Sequence, residues 1–155
     1  GQPSFYAVTQ LFLFRAGRRD NVAMSAVGKG MSDDDLRGFS EAIARLPSPP
    51  QPRHDTPVDA AMQARGARLA AKLHCNGCHG RDLLGGEQVP RLAGQREEYL
   101  LSALEGFRSA RRVGYTQAMN EALAGVDAQG LKDLAHHLAR FEPPKPGGAG
   151  AKKAR

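Results

Sequence analysis

Two cysteines are the only ones in the 155-residue chain, and both lie in one pentapeptide, Cys75-Asn76-Gly77-Cys78-His79. Thiols three positions apart lie about one helical turn from each other. At that spacing both can add to the two vinyl groups of a single porphyrin, which is the C-x-x-C-H pattern of covalent haem attachment. His79 follows directly and can donate an imidazole nitrogen to the iron. Two other chemistries use a C-x-x-C pair. A dithiol redox centre belongs beside a strand–helix–strand pattern, and the sequence shows no such strands. A zinc site needs a second pair of ligands; the candidates, His136 and His137, are adjacent on a helix and point in different directions.

An iron held by His79 needs a second axial donor. Met24, Met31, Met62 and Met119 are the four methionines. Met62 precedes the motif on its own helix and reads as core. Met119 follows a polar, glycine-containing loop and precedes the last helix, so it can fold over the opposite face. A thioether is a soft ligand that favours ferrous iron. His136 or His137 would supply a bis-histidine alternative, and the pair reads as one surface and one half-buried residue. Between the motif and Gly94, Gly85-Gly86 lets the chain turn where a side chain would clash. Pro90 is placed to pack near His79, whose free ring N–H calls for a carbonyl partner. Arg91 is placed to offset a haem propionate.

The elements that must position these residues come as a repeat. Gly1-Gln2 and Tyr6 match Gly94-Gln95 and Tyr99, and Phe14–Arg19 matches Phe107–Arg112, at one constant offset. After a two-residue shift, Ala23-Met24 matches Ala118-Met119, Leu36 matches Leu131, and Ala44-Arg45 matches Ala139-Arg140. The second copy has a front part, roughly residues 57–93, that carries the haem motif; the first copy begins without one. Periodicity predicts helices over 5–15, 33–46, 57–72, 95–110 and 128–141, and no sheet of any size. Ser32 caps the second of these ahead of three aspartates, and Thr56-Pro57 opens the third. Gly66 costs helix propensity, which a close helix crossing would explain.

Five prolines between Pro47 and Pro57 mark an extended connector, in which His54 reads as a solvated loop residue. The domain reading is an incomplete first repeat at 1–46, a linker at 47–56, a haem-binding domain at 57–142 and a flexible basic tail at 143–155. Four of the six net positive charges sit in that tail, so the basic balance argues no nucleic-acid surface. The tail is a candidate for contact with a membrane surface or an acidic partner. Aromatics are only 6% and tryptophan is absent; a porphyrin, itself a large apolar body, would supplement so modest a core. No run of about 18 apolar residues is present for a transmembrane helix.

Val89-Pro90-Arg91-Leu92-Ala93-Gly94-Gln95, Tyr99-Leu100, Phe107-Arg108, Met119 and Asp133-Leu134-Ala135 together resemble the class I cytochromes c. The nearest group is the two-domain, dihaem cytochrome c4 type, and the likeness runs over roughly residues 1–141. It implies an all-α fold of short helices around covalently bound haem, repeated in tandem. It implies haem c on Cys75 and Cys78, with His79 proximal and Met119 distal. Met24 matches the distal methionine of a first domain, which would ligate iron only if that repeat carries a haem. The implied function is electron transfer in the periplasm, in contact with an oxidase, reductase or dehydrogenase. An enzyme subunit or a peroxidase-like haem enzyme is the alternative, and a haem-based sensor or assembly scaffold is a third class. Two departures stand out: the first repeat lacks C-x-x-C-H, and no proline stands beside Met119. The expectation is one haem in this chain and two in a longer protein of which it is a piece; the alternative is a first repeat that has lost its haem.

Overall fold

The computed structural model describes residues 1–47, 57–115 and 117–144. The expected connector from Ser48 to Thr56, His54 included, and the tail from Lys145 lie outside the described residues. Among the described residues the chain forms eight helices: α1 (Ser4–Arg15), α2 (Val22–Lys29), α3 (Asp33–Arg45), α4 (Ala60–Lys72), α5 (Cys75–His79), α6 (Glu97–Arg108), α7 (Ala118–Leu123) and α8 (Ala128–Ala139). The nearest thing to a sheet is one isolated bridge between Gly86 and Val89.

The sequence repeat is a structural repeat. Helix α1 packs on α2 and α3, as α6 packs on α7 and α8. What the second half has in addition is α4 and α5, and α4 crosses α8. Gly66 sits at that crossing. A side chain there would run into the Asp133 carbonyl oxygen and lie 2.6 Å from His137 Cβ. The glycine therefore spends helix propensity to let two backbones touch. An ion pair clamps the same crossing, with Arg65 exposed and Asp133 buried: Arg65 Nε and Nη2 donate to the two Asp133 carboxylate oxygens at 2.6 and 2.8 Å.

The caps explain where the helices start. Ser32 and Asp35 form a reciprocal capping box at α3, each side chain bonding the other's backbone N–H. Helix α4 begins three residues later than the sequence pattern predicts. Its cap is Asp59, whose carboxylate accepts from the Ala61 and Met62 N–H groups. Thr56, the expected cap, lies outside the described residues. The Asp59 backbone N–H in turn donates to His136 Nε2 at 3.2 Å, a tertiary contact that local pattern does not reveal.

The main core gathers Leu100, Leu104, Leu131, Leu134 and Leu138 from α6 and α8, with Leu83 and Ala93 from the loop after the motif. Cys75, Leu92, Phe107 and Met119 are half-buried against the same cluster. In the first half, Leu11, Leu13, Phe14 and Leu36 are buried, while Phe5, Phe12 and Phe39 stay exposed.

Candidate haem site

Helix α5 is a single turn that presents the motif. Its start is set by His74, which takes a left-handed conformation (φ 52°) and breaks the chain direction between α4 and α5. Cys78 is exposed, Cys75 is half-buried, and neither forms a disulfide. Burial pushes the Cys75 thiol upward from its ordinary range.

His79 is buried. Its Nδ1 lies 2.8 Å from the Pro90 carbonyl oxygen. A carbonyl can only accept, so Nδ1 carries the proton and donates, leaving the Nε2 lone pair available to a metal. Burial pushes the His79 pKa down, with the Pro90 bond opposing it only in part, so the ring is held neutral and ready to ligate. The sequence expectation for the Pro90 neighbourhood thus corresponds to one defined hydrogen bond.

The segment between His79 and Pro90 is held by its own backbone. Gly85 N–H donates to the His79 carbonyl, and Leu92 and Ala93 N–H groups both donate to that of Leu83. Gly85 has φ +76°, and an added Cβ would come within 2.5 Å of Val89 O. Gly86 meets no such contact, so only the first of the two glycines is sterically required.

Arg91 is half-buried, and its Nε donates to Ala93 O at 2.9 Å. Met119 lies on α7 and Met24 on α2, equivalent places in the two repeats; both are half-buried. The two histidines of α8 are committed elsewhere. His136 is buried outright, contrary to the expectation of a surface and a half-buried pair, and its Nδ1 donates to Glu97 Oε1 at 3.2 Å. His137 meets the Gln63 amide at 3.2 Å and the Phe141 ring edge-on. No group of three His, Cys, Asp or Glu positioned for a metal occurs among the described residues. The second pair of a zinc site is therefore absent from them.

The donor chemistry suits haem: two unpaired thiols one turn apart, then a neutral imidazole with its outer nitrogen free. Residues 63–141 match the cytochrome c family model. The chain belongs to the cytochrome c family. Its cofactor is covalently bound haem c. Thiosulfate dehydrogenase electron acceptors are similar to it. That of Stutzerimonas stutzeri (strain A1501) is 30% identical over 113 residues, 69% of this chain and 52% of the relative. That of Thiomonas intermedia (strain K12) is 30% identical over 139 residues, 83% of this chain and 63% of the relative. The chain thus spans between about half and under two thirds of these relatives. Reduced recombinant cytochrome c4 from Pseudomonas stutzeri has the same fold, with a TM-score of 0.78 at 23% identity over 92% of this chain and 83% of that one.

Sequence reasoning missed the seam between the repeats. Tyr115 donates to Gln10 Oε1 at 2.5 Å, and Arg19 donates to both Gln10 Oε1 and the Tyr99 hydroxyl, at 2.7 and 2.9 Å. Arg112 reaches Tyr99 and Tyr115 and stacks over Phe107, 5.0 Å from its centroid. Burial alone would raise the Tyr99 pKa, but the Arg112 and Arg19 guanidinium groups outweigh it and bring it down. Tyr6 and Arg19 are the repeat mates of Tyr99 and Arg112, but that equivalence carries no signal of contact.

Proposed function

We propose that this cytochrome is an exported, periplasmic electron carrier that accepts electrons from a dehydrogenase and passes them to a further redox protein, such as a terminal oxidase. The relatives' names support thiosulfate dehydrogenase as the donor. Cys75 and Cys78 hold the haem through thioethers, His79 Nε2 is the proximal donor, and Met119 is the distal one. Met24 would serve a second haem only if the first repeat carries one. The observation that carries this reading is the buried His79, fixed by Pro90 with its free nitrogen beside two unpaired thiols.

Bound haem supplies a one-electron ferric–ferrous couple. His79 and Met119 would be the side chains that hold the iron, and haem so held would supply electron transfer without bond chemistry on a substrate. The Pro90 carbonyl keeps the imidazole in one tautomer and raises its basicity. The Arg91 guanidinium keeps its two terminal nitrogens clear of hydrogen bonds among the described residues, which suits a propionate partner. Among the described residues no helix is long and apolar enough to cross a membrane.

Stopped-flow mixing of the oxidised, haem-loaded protein with thiosulfate dehydrogenase and thiosulfate tests the pathway. The expected result is reduction at a rate that rises with dehydrogenase concentration. Reduction no faster than in controls without the dehydrogenase would remove that donor.

A further inference from the structure

The Pro90–Arg91 peptide unit is used at both ends. On one side the Pro90 carbonyl accepts from His79 Nδ1 at 2.8 Å. On the other the Arg91 N–H donates to Gln2 Oε1, also at 2.8 Å. The described chain has no cis peptide, so these two groups lie on opposite edges of one rigid plane. Gln2 closes its grip through Nε2, which donates to the Arg91 carbonyl at 3.2 Å. A second tie from the first repeat lies nearby, where the Tyr6 N–H donates to Glu87 O at 3.2 Å. The repeat mate of Gln2 does something different: Gln95 Oε1 accepts from its own neighbour, the Arg96 N–H, at 2.9 Å. The grip on Arg91 is thus particular to Gln2 and is not the general role of a glutamine ahead of a helix.

We propose that Gln2 is a positioning residue for the proximal imidazole, acting through the Pro90–Arg91 peptide to set how strongly His79 donates to iron. The proposal rests on the assignment of His79 as proximal ligand. An amide whose N–H is engaged is polarised, and its carbonyl becomes a stronger acceptor. A stronger acceptor draws the Nδ1 proton further from the ring and makes Nε2 a better donor. A better donor favours the ferric state, so the Gln2 contact lowers the reduction potential. Because Gln2 belongs to the first repeat, the seating of that repeat against residues 87–91 feeds into the redox behaviour of the second.

The test is a spectroelectrochemical titration of the exported, haem-loaded protein, with solvent exchange of the His79 Nδ1 proton followed by NMR. Gln2→Met keeps the length of the side chain and removes both hydrogen bonds. It should raise the midpoint potential and speed Nδ1–H exchange, with the absorption bands retained. Gln2→Glu keeps an acceptor for the Arg91 N–H and should leave the potential at or below that of the parent protein. This variant stands in if Gln2→Met does not accumulate. Gln95→Met is the control and should change neither readout. An unmoved potential and exchange rate in Gln2→Met, or a potential raised in Gln2→Glu, would overturn the role of Gln2 while leaving the ligand assignment intact. A His79→Ala variant with the same absorption spectrum and midpoint potential as the parent protein would remove that assignment, and this inference with it.

Discussion

Asp133 shows how one residue ties packing to chemistry in this chain. Its side chain is 5% exposed and faces Arg65 across the α4–α8 crossing. The hydrogen bonds from Arg65 hold its carboxyl below the usual carboxylate range. A depressed folded-state pKa gives stability that is present above the unfolded value, about 4, and is lost as pH falls through the folded one. Asp133→Asn should therefore weaken the protein at neutral pH and flatten its loss of stability on acidification. Denaturant midpoints at neutral pH and at about pH 3 check this; an unchanged acid slope would remove Asp133 from the account. At this scale the sequence was most informative where chemistry demands a fixed spacing, as at Cys75, Cys78 and His79. It was least informative for His136, whose partners Asp59 and Glu97 come from other helices.

At the scale of elements, the α4–α8 crossing and the turn after α6 make opposite demands on backbone. Gly66→Ala inserts a methyl where the Asp133 carbonyl already sits, and overpacking of that kind costs about 1–3 kcal/mol. Thermal melting of the haem-loaded variant should show a lowered midpoint. Ala110 is the reverse case. It takes φ +55° just after α6, at the place where its repeat mate Gly17 takes φ +65°. A left-handed alanine is strained by about 1–2 kcal/mol, partly offset by the lower chain entropy it has when unfolded. Ala110→Gly should stabilise by about 0.5–1 kcal/mol in denaturant unfolding. The long helices were legible because their apolar stripes are periodic and their starts are marked by Ser32 and by acidic first turns. The short α2 and α7 span only 8 and 6 residues, too little for periodicity to register. The exact start of α4 was hidden because Asp59 serves equally well as a cap or as a first-turn acid.

For the whole molecule, the seam between repeats carries the argument. Arg19 lies over Phe14 at 4.4 Å and bonds Gln10 and Tyr99, so it joins α1 to α6. Its removal should cost about 1–2 kcal/mol from lost cation–π and hydrogen-bond contacts, read as a lower denaturant midpoint for Arg19→Ala. No change would mean that the two halves are held by apolar contact alone. The repeat was visible in the sequence as matched residues at a constant offset. That matched arginines and tyrosines from both copies would meet at one seam was not, because an offset gives equivalence and says nothing of contact.

The central claim is a haem on Cys75 and Cys78 whose iron is closed by His79 and Met119. Carbon monoxide binding to the reduced, exported protein tests it most directly, with Met119→Ala measured beside it. The account predicts that the native protein shows no carbon monoxide spectrum without denaturant and that Met119→Ala, its haem still covalently attached, does. Binding by the native protein, or none by Met119→Ala, would contradict it.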